Sequence, residues 1–223
     1  MGYLKWLGHA AFEIEIDSVK VFLDPWIENP MSPIRLEDVD RADLVLVTHD
    51  HSDHLGNAVD VAKKTGAKIV AIFDICEEIK NKYPEIDCVD LNIGSLVEIK
   101  GLKIGLTLAF HSSLHGHPAG FIVKGGETTI YHAGDTSLFK DMELIGELYR
   151  PEIALLPIGG WYTMGPYEAA YAVKLIKPKV AIPMHYYTFP VIKGSPEEFK
   201  KYVEELYPAT KVVILKPGEK FEF

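Results

Sequence analysis

The sequence of 223 residues lacks a long apolar run, and no stretch approaches the roughly 18 apolar residues that a membrane-spanning helix requires. Near the N-terminus, Lys5 is followed by Glu13, Glu15 and Asp17 and by no extended apolar segment, which disfavours a signal peptide. We therefore expect a cytoplasmic protein without a membrane span.

Basic residues and cysteines are also scarce. The 23 Lys and Arg residues face 32 Asp and Glu residues, and the formal net charge is −9. Proteins that bind phosphate backbones usually present a basic surface, so this balance counts against nucleic acid as the main partner. The two cysteines, Cys76 and Cys88, are twelve residues apart and form no CxxC motif. This pattern favours two reduced structural thiols, with a disulfide between them as the alternative.

Apolar patterns of strand length alternate with patterns of helical spacing along the chain. Strands are predicted at Tyr3–Leu7, Ala10–Ile16, Val19–Leu23, Leu44–Thr48, Ile69–Phe73, Leu96–Lys100, Leu102–Ala109, Gly120–Lys124, Thr129–His132, Ile153–Leu156, Val180–Pro183 and Val212–Leu215. Helices are predicted at Leu55–Lys64, Ile75–Lys82, Leu138–Tyr149, Pro166–Ile176 and Pro196–Leu206. Each half begins with a strand meander and continues with alternating strands and helices. We predict one α/β (α+β) domain over residues 1–223, in which two sheets pack together beneath outer helices. The repeated order of elements predicts that the two halves of this domain are related by an internal duplication.

Three of the nine histidines fall within the run His49–His54, whose sequence is HDHSDH. The run directly follows the apolar strand predicted at Leu44–Thr48, and α/β proteins tend to place their sites at the carboxyl ends of such strands. Two imidazoles in an i, i+2 pair can be directed at one ion, while Asp53 and His54 fall at the start of a helix. A solvated polar loop accounts poorly for four ligand-type side chains between two apolar segments. The run therefore predicts a metal site.

Three further polar side chains, His111, Asp135 and His185, each stand directly after an apolar strand pattern. A lone histidine at a strand end is more often a surface or capping residue than a ligand. In a chain that already carries HxHxDH, three such positions favour ligation. We predict that all three are metal ligands.

The pattern of these residues resembles that of the metallo-β-lactamase fold superfamily, and the likeness extends over nearly the whole chain. Several segments more narrowly resemble an uncharacterised metal-dependent hydrolase family of that superfamily, akin to L-ascorbate-6-phosphate lactonase. These segments are 8–12 (GHAAF), 24–26 (DPW), 110–113 (FHSS), 131–136 (YHAGDT), 157–160 (PIGG), 162–166 (YTMGP) and 185–190 (HYYTFP). The resemblance implies a four-layer αββα sandwich with internal pseudo-duplication and one or two metal ions at the edge of the paired sheets.

Carried over motif by motif, the resemblance implies two metal ions that share one bridging carboxylate. The ligands implied for the first ion are His49, His51 and His111. Those implied for the second are Asp53, His54 and His185, and the bridging residue is Asp135. Such ligands suit zinc, manganese or iron, and zinc is the ion we expect first. Two such ions can hold a hydroxide at neutral pH, so the predicted mechanism is attack by metal-bound hydroxide, which Asp53 orients and deprotonates.

Other residues near these motifs carry weaker signals. His9 lies in a turn between two strands, where a site-facing proton donor or substrate contact and a structural histidine are equal alternatives. Asp24 ends a strand and either bonds the metal loop from behind or caps a turn. We interpret His115 and His117 as a loop near the mouth of the site, and His132 as structural. Aromatic residues that fit either a substrate pocket or the core are Trp161, Tyr162, Tyr186, Tyr187 and Phe189.

Together, these patterns predict a metal-dependent hydrolase that cleaves a small ester, lactone or phosphodiester. A ribonuclease or other RNA-processing phosphodiesterase is the main alternative, which the acidic balance and the lack of room for an RNA-gripping domain disfavour. A non-hydrolytic metal or redox protein on the same fold is the second alternative, but the flavin domain and altered ligands of flavodiiron-type proteins are missing. We expect a small-molecule substrate as partner, and the sequence leaves homo-oligomer formation open.

Overall fold

The computed structural model describes residues 2–223 and contains two seven-stranded β-sheets. In spatial order, the first sheet consists of β14 (Lys220–Glu222), β1 (Tyr3–Trp6), β2 (Phe12–Ile16), β3 (Val19–Leu23), β4 (Leu44–Leu46), β5 (Lys68–Ile72) and β6 (Cys88–Leu91). The second consists of β13 (Lys211–Val212), β12 (Val180–Met184), β11 (Ile153–Pro157), β10 (Thr128–His132), β9 (Ala119–Gly125), β8 (Leu102–Leu108) and β7 (Val97–Ile99).

The two sheets have the same plan. In each sheet, four antiparallel strands are followed by three further strands that pair in parallel. The parallel strands β4, β5, β11 and β12 are almost wholly buried and rich in Val, Ile, Leu and Ala, as strands covered on both faces are. Buried side chains of both sheets form one apolar core. The predicted two-sheet architecture with internal duplication is therefore confirmed.

Helices cover the outer faces of the sheets, completing four layers. They are α1 (Ser52–Leu55), α2 (Ala58–Thr65), α3 (Phe73–Lys82), α4 (Met142–Tyr149), α5 (Pro166–Ile176) and α6 (Pro196–Leu206), with a short 3₁₀ turn at Leu36–Asp38. α2 and α3 contact the first sheet, whereas α5 contacts the second sheet and lies between α4 and α6. Within residues 2–223, no helix is long and apolar enough to cross a membrane.

Helices α5 and α6 have the bounds that the sequence predicts, because their start signals are local. Both begin with proline, whose fixed φ and missing N–H suit the first helical position. Ser195 caps α6 by accepting a hydrogen bond from Glu198 N–H at 3.2 Å. The prediction of a strand at Val212–Leu215 is mostly wrong, since only Lys211–Val212 pairs with β12. The helix expected from Leu138 begins at Met142.

The helix predicted at Leu55–Lys64 is interrupted after Leu55, which corrects that interpretation. Gly56 has φ +42°, and a Cβ atom there would lie 2.6 Å from the Trp26 Cα atom. Asn57 then accepts a hydrogen bond from Ile27 N–H at 3.0 Å through its side chain. The break therefore holds the loop after β3 against the start of α2, a long-range contact that helical spacing does not reveal.

The cysteines also correct the sequence interpretation, because Cys76 and Cys88 form a disulfide and are not reduced thiols. Their Cα atoms are 5.5 Å apart, within the range of ordinary disulfides. Cys76 lies in α3 and Cys88 in β6, the edge strand on which α3 packs. The two cysteines pair because α3 packs against β6. The sequence analysis did not predict β6.

His132 on β10 connects the two sheets. Its Nε2–H donates to the Ala10 carbonyl in the turn between β1 and β2 at 2.9 Å, and its Nδ1 accepts from Gly134 N–H at 3.1 Å. The ring is fully buried, and this burial lowers its pKa. A neutral imidazole with one donor and one acceptor nitrogen satisfies both contacts. His132 is therefore a structural cross-link.

We expect His132→Ala to lower the free energy of unfolding, because the Ala10 carbonyl and the Gly134 N–H both lose their partner. Each buried group left unpaired costs about 1–3 kcal/mol. Chemical denaturation at neutral pH measures this loss, and His132→Gln, which keeps an amide donor, should lose less.

The same variants test the pH dependence of stability. Since the pKa of His132 is lowered in the folded state, unfolding takes up a proton below the ordinary histidine pKa of about 6.5, and wild-type stability falls as the pH falls below that value. Gln does not titrate, so His132→Gln lacks this loss. As the pH is lowered below about 6.5, the difference in the free energy of unfolding between wild type and His132→Gln should narrow by up to about 1.4 kcal/mol per pH unit. A difference that does not change between pH 7 and 5 contradicts this account.

Candidate metal centre

Loops that follow strands of both sheets meet at one edge of the sandwich. The first sheet contributes Asp24 after β3 and the segment His49–His54 after β4. The second sheet contributes His111 after β8, Asp135 after β10 and His185 after β12. Functional loops of α/β folds commonly gather at the carboxyl ends of parallel strands. Of the seven residues predicted as metal ligands, five lie in these loops, and Asp53 and His54 lie in the short helix α1 that follows β4.

His49, His51 and His111 form a first group of nitrogen atoms. His51 Nδ1 lies 3.0 Å from His49 Nε2 and 3.3 Å from His111 Nε2. Two nitrogens that each bind one tetrahedral zinc ion at about 2.0–2.1 Å are about 3.3 Å apart. The spacing of the three imidazoles therefore suits a shared cation.

Asp135 lies between this group and a second one that contains His54 and His185. Its Oδ1 is 3.2 Å from His54 Nε2, and its Oδ2 is 3.1 Å from His185 Nε2 and 3.5 Å from His111 Nε2. His185 Nε2 also lies 3.9 Å from Asp53 Oδ2. One carboxylate thus faces nitrogens of both groups.

Several atoms of this cluster are buried without a hydrogen-bond partner, namely His54 Nε2, Asp135 Oδ1 and both ring nitrogens of His185. The ion-pair distances to Asp135 are short, but the groups are not aligned as hydrogen bonds. Buried polar atoms without partners are rare in folded proteins and call for an explanation. A cation between them satisfies nitrogen lone pairs and carboxylate together, so these residues fit a metal centre.

The charges at the site follow from burial and from close neighbours. Burial, aided by the adjacent His54, lowers the pKa of His49 to about 2, which keeps its ring in the neutral form that binds metals. Burial also disfavours charge on His54 and Asp135. Their mutual attraction prevails, so the pKa of His54 is raised by Asp135 and Asp24, and the pKa of Asp135 is lowered by His185 and His54. The cluster therefore holds a buried, ionised carboxylate among imidazoles.

Asp24 supports the segment His49–His54 from behind. It is fully buried, and its Oδ2 accepts hydrogen bonds from His54 Nδ1–H and from the Thr48 hydroxyl, both at 2.7 Å. Its Oδ1 accepts from Thr48 N–H at 2.8 Å. A carboxylate on one ring nitrogen fixes the tautomer and aims the other nitrogen at the metal position. Asp24 thereby directs His54 Nε2 toward Asp135.

His9 lies behind Asp53 and not in the cavity in front of the site. It is fully buried, and its Nε2–H donates to Asp53 Oδ2 at 3.0 Å while its Nδ1 accepts from the Thr188 hydroxyl at 2.5 Å. Burial, followed by the neighbouring His185, lowers the pKa of His9 to about 4, although the bond to Asp53 acts in the opposite direction. Its neutral ring therefore links Asp53 to Thr188.

Asp50 is a residue of the HDHSDH run whose role the sequence did not reveal. Its carboxylate accepts hydrogen bonds from the Ser113 hydroxyl, from Leu114 N–H and from the backbone and ring of His115, at 2.6–3.0 Å. Burial opposes ionisation, but these bonds prevail and lower its pKa. Asp50 thus ties the metal loop to the segment that follows His111. The position of Asp50 between two predicted ligands is a signal in the sequence that could have suggested a contact with a neighbouring loop.

An open cavity of about 580 Å³ lies in front of the metal loops, within the size range of small-molecule sites. Its lining residues are His51, Asp53, His111, Ser112, Asp135, Tyr162, His185, Phe189, Pro190 and Val191. Of the aromatic residues considered from the sequence, Tyr162 and Phe189 line this cavity, while Tyr186 is buried and packs against Trp6 with ring centroids 5.2 Å apart. His115 and His117 are not among the lining residues.

Comparison with known proteins places this geometry in a family. A family model described as "Beta-lactamase superfamily domain" matches residues 3–185. A UPF0173 metal-dependent hydrolase of Staphylothermus marinus is 56% identical and is aligned over 100% of both chains. Another, of Caldivirga maquilingensis, is 53% identical over 98% of this chain and 97% of its own.

A solved structure is similarly close. Igni18, described as a novel metallo hydrolase from the hyperthermophilic archaeon Ignicoccus hospitalis, aligns with a TM-score of 0.94 at 45% sequence identity. The alignment covers 100% of this chain and 99% of that one. The chain therefore belongs to the β-lactamase superfamily, and within it to the metal-dependent hydrolases of the metallo-β-lactamase fold.

Proposed function

We propose that this hydrolase cleaves a small ester, lactone or phosphodiester with the help of two divalent metal ions. The observation that carries the proposal is Asp135, a buried carboxylate that faces two groups of imidazoles at the floor of an open cavity. The proposed ligands of the first ion are His49, His51 and His111. Those of the second are Asp53, His54 and His185, with Asp135 shared by both.

The donor set supports zinc as the proposed ion, with manganese and iron as alternatives of the same ligand chemistry. When bound, two such ions supply an activated water as nucleophile and polarise the bond to be cut. The protein supplies the positions of the ligands, because Asp24 holds His54 and because Asp50 holds the segment after His111.

Asp53 is the proposed proton acceptor. Its side chain is 17% exposed and lines the cavity, where it can take the proton of an attacking water. The N–H of His9 holds Oδ2 at 3.0 Å, and this bond, working against burial, lowers the pKa of Asp53. His9 is therefore proposed as a positioning residue that keeps the carboxylate ionised and aimed, with Thr188 holding His9 in turn.

The proposed partner is a small molecule, since the cavity has the volume of a small-molecule site and the net charge is −9. The same charge disfavours nucleic acid. We propose the cytoplasm as the location; disulfides such as Cys76–Cys88 are uncommon there in most organisms but do occur in intracellular proteins of hyperthermophiles.

We expect His51→Ala to reduce hydrolytic activity at least about 100-fold, because removal even of a residue that only supports a ligand typically costs 10–100-fold. The protein should also retain fewer metal ions, which elemental analysis of the purified protein measures. His117→Ala, an exposed histidine outside the cavity lining, is the matched control and should keep both metal and activity. Full activity in His51→Ala, or in wild type stripped of metal by a chelator, would falsify the proposal.

We expect Asp24→Asn to weaken metal binding about 10- to 100-fold while the fold remains intact. The amide keeps the size of the carboxylate, but it no longer supplies the charge and the two acceptor oxygens that orient Thr48 and His54. Titration of metal-free protein with zinc measures the change in affinity. Asp87→Asn, which removes only an exposed partner of Lys68, should leave the affinity unchanged; equal effects of the two variants would show that Asp24 has no specific role.

A further inference from the structure

We infer that the substrate is an uncharged carboxylic ester or lactone that carries an apolar group, and not a phosphodiester. The inference rests on the proposed function and narrows its substrate class. It follows from the contrast between two parts of the cavity lining. One part consists of the ligand-type residues, and another consists of Phe189, Pro190 and Val191, which we call the apolar wall.

The apolar wall is held in place by aromatic packing around Phe189. The Phe189 ring stacks on Trp26 with centroids 5.6 Å apart and meets His9 edge-on at 5.5 Å. The ends of its loop are closed by hydrogen bonds from Tyr187 N–H to the Ile192 carbonyl at 2.9 Å and from Ile192 N–H to the Phe189 carbonyl at 3.2 Å. A fixed apolar surface beside a reactive centre gains free energy from an apolar group of the substrate, at about 25 cal/mol for each Å² removed from water.

Apart from the two proposed ions, the described lining supplies no cationic group for the oxygens of a substrate that is already anionic. Among the described residues that line the cavity, two are the carboxylates Asp53 and Asp135, and none is Lys or Arg. Sites for phosphate esters usually add arginine or lysine, because their cationic donors pair with the phosphate oxygens. A neutral ester develops negative charge only during the reaction, so it does not need those extra cations before the bond is cut.

Two hydroxyl groups remain to orient a neutral head group. Ser112 and Tyr162 line the cavity, and each hydroxyl can donate to a carbonyl or alkoxy oxygen. In the reaction, the water oxygen bonds to the acyl carbon and the acyl C–O bond breaks. The water proton passes through Asp53 to the departing alkoxide, which leaves as an alcohol or, in a lactone, remains attached to the new acid.

The test compares three substrates at equal metal content: p-nitrophenyl acetate, p-nitrophenyl hexanoate and bis(p-nitrophenyl) phosphate. We expect kcat/KM for the hexanoate to exceed that for the acetate about tenfold, because the longer chain contacts the apolar wall. The phosphodiester should be cleaved at least about tenfold less efficiently than the hexanoate. A δ-lactone with an alkyl chain should be a substrate as well.

Val191→Lys places a cation on the apolar wall at a residue that is 38% exposed, so the fold can accommodate it. We expect this variant to abolish the preference for hexanoate over acetate while its metal content stays that of wild type. Leu148→Lys is the matched control, because Leu148 is 71% exposed on α4 and is not part of the cavity. It should keep the wild-type preference.

The outcomes separate the two levels of the proposal. If the metal-loaded enzyme cleaves none of these substrates, the proposed function fails together with the inference. If it prefers the phosphodiester, or if Val191→Lys leaves the chain-length preference unchanged, the substrate class is overturned while the proposed hydrolase function stands.

Discussion

The packing of two sheets on one core determines how close their strand ends come, and the whole site depends on that spacing. Among the hydrogen bonds that cross between the two halves near this edge are those from Ala119 N–H to the Thr48 carbonyl at 3.0 Å, from His185 N–H to the His9 carbonyl at 2.9 Å, and from the His132 ring to the Ala10 carbonyl at 2.9 Å. They hold the loops of one sheet in register with those of the other. The distance of 3.2 Å between His54 of the first half and Asp135 of the second is a consequence.

Three residues of the site at this edge have a strained backbone conformation. His9, Asp24 and His185 have φ values of 53°, 43° and 59°, in the left-handed region that residues other than glycine seldom occupy. Each such residue costs of the order of 1–3 kcal/mol and persists only where its surroundings determine its conformation. For Asp24, the hydrogen bonds that its carboxylate accepts from Thr48 and His54 provide those surroundings. For His9 and His185, the backbone hydrogen bond between them does so. These conformations place His185 in the cluster and His9 and Asp24 directly behind it.

Much of the fold could be predicted because its signals are local. Parallel strands such as β11 and β12 are continuous apolar runs, and α5 and α6 begin at proline, so both kinds of element are visible in a short window. The edge strands β6 and β14 are only four and three residues long, and their pairing partners are distant in sequence. The Cys76–Cys88 disulfide and the break at Gly56 were interpreted wrongly for the same reason, since contacts with β6 and with Trp26 decide them.

By itself, the sequence determined which residue types stand at the strand ends, because burial and ligand chemistry both appear as local patterns around His49, His111, Asp135 and His185. Only the tertiary structure decided which atoms face one another. It turned Asp50 toward the segment after His111, set His9 behind Asp53, and brought the apolar wall into the same cavity as the imidazoles. The reason is physical: side-chain direction and burial depend on how the two sheets pack, and that packing is a property of the whole core.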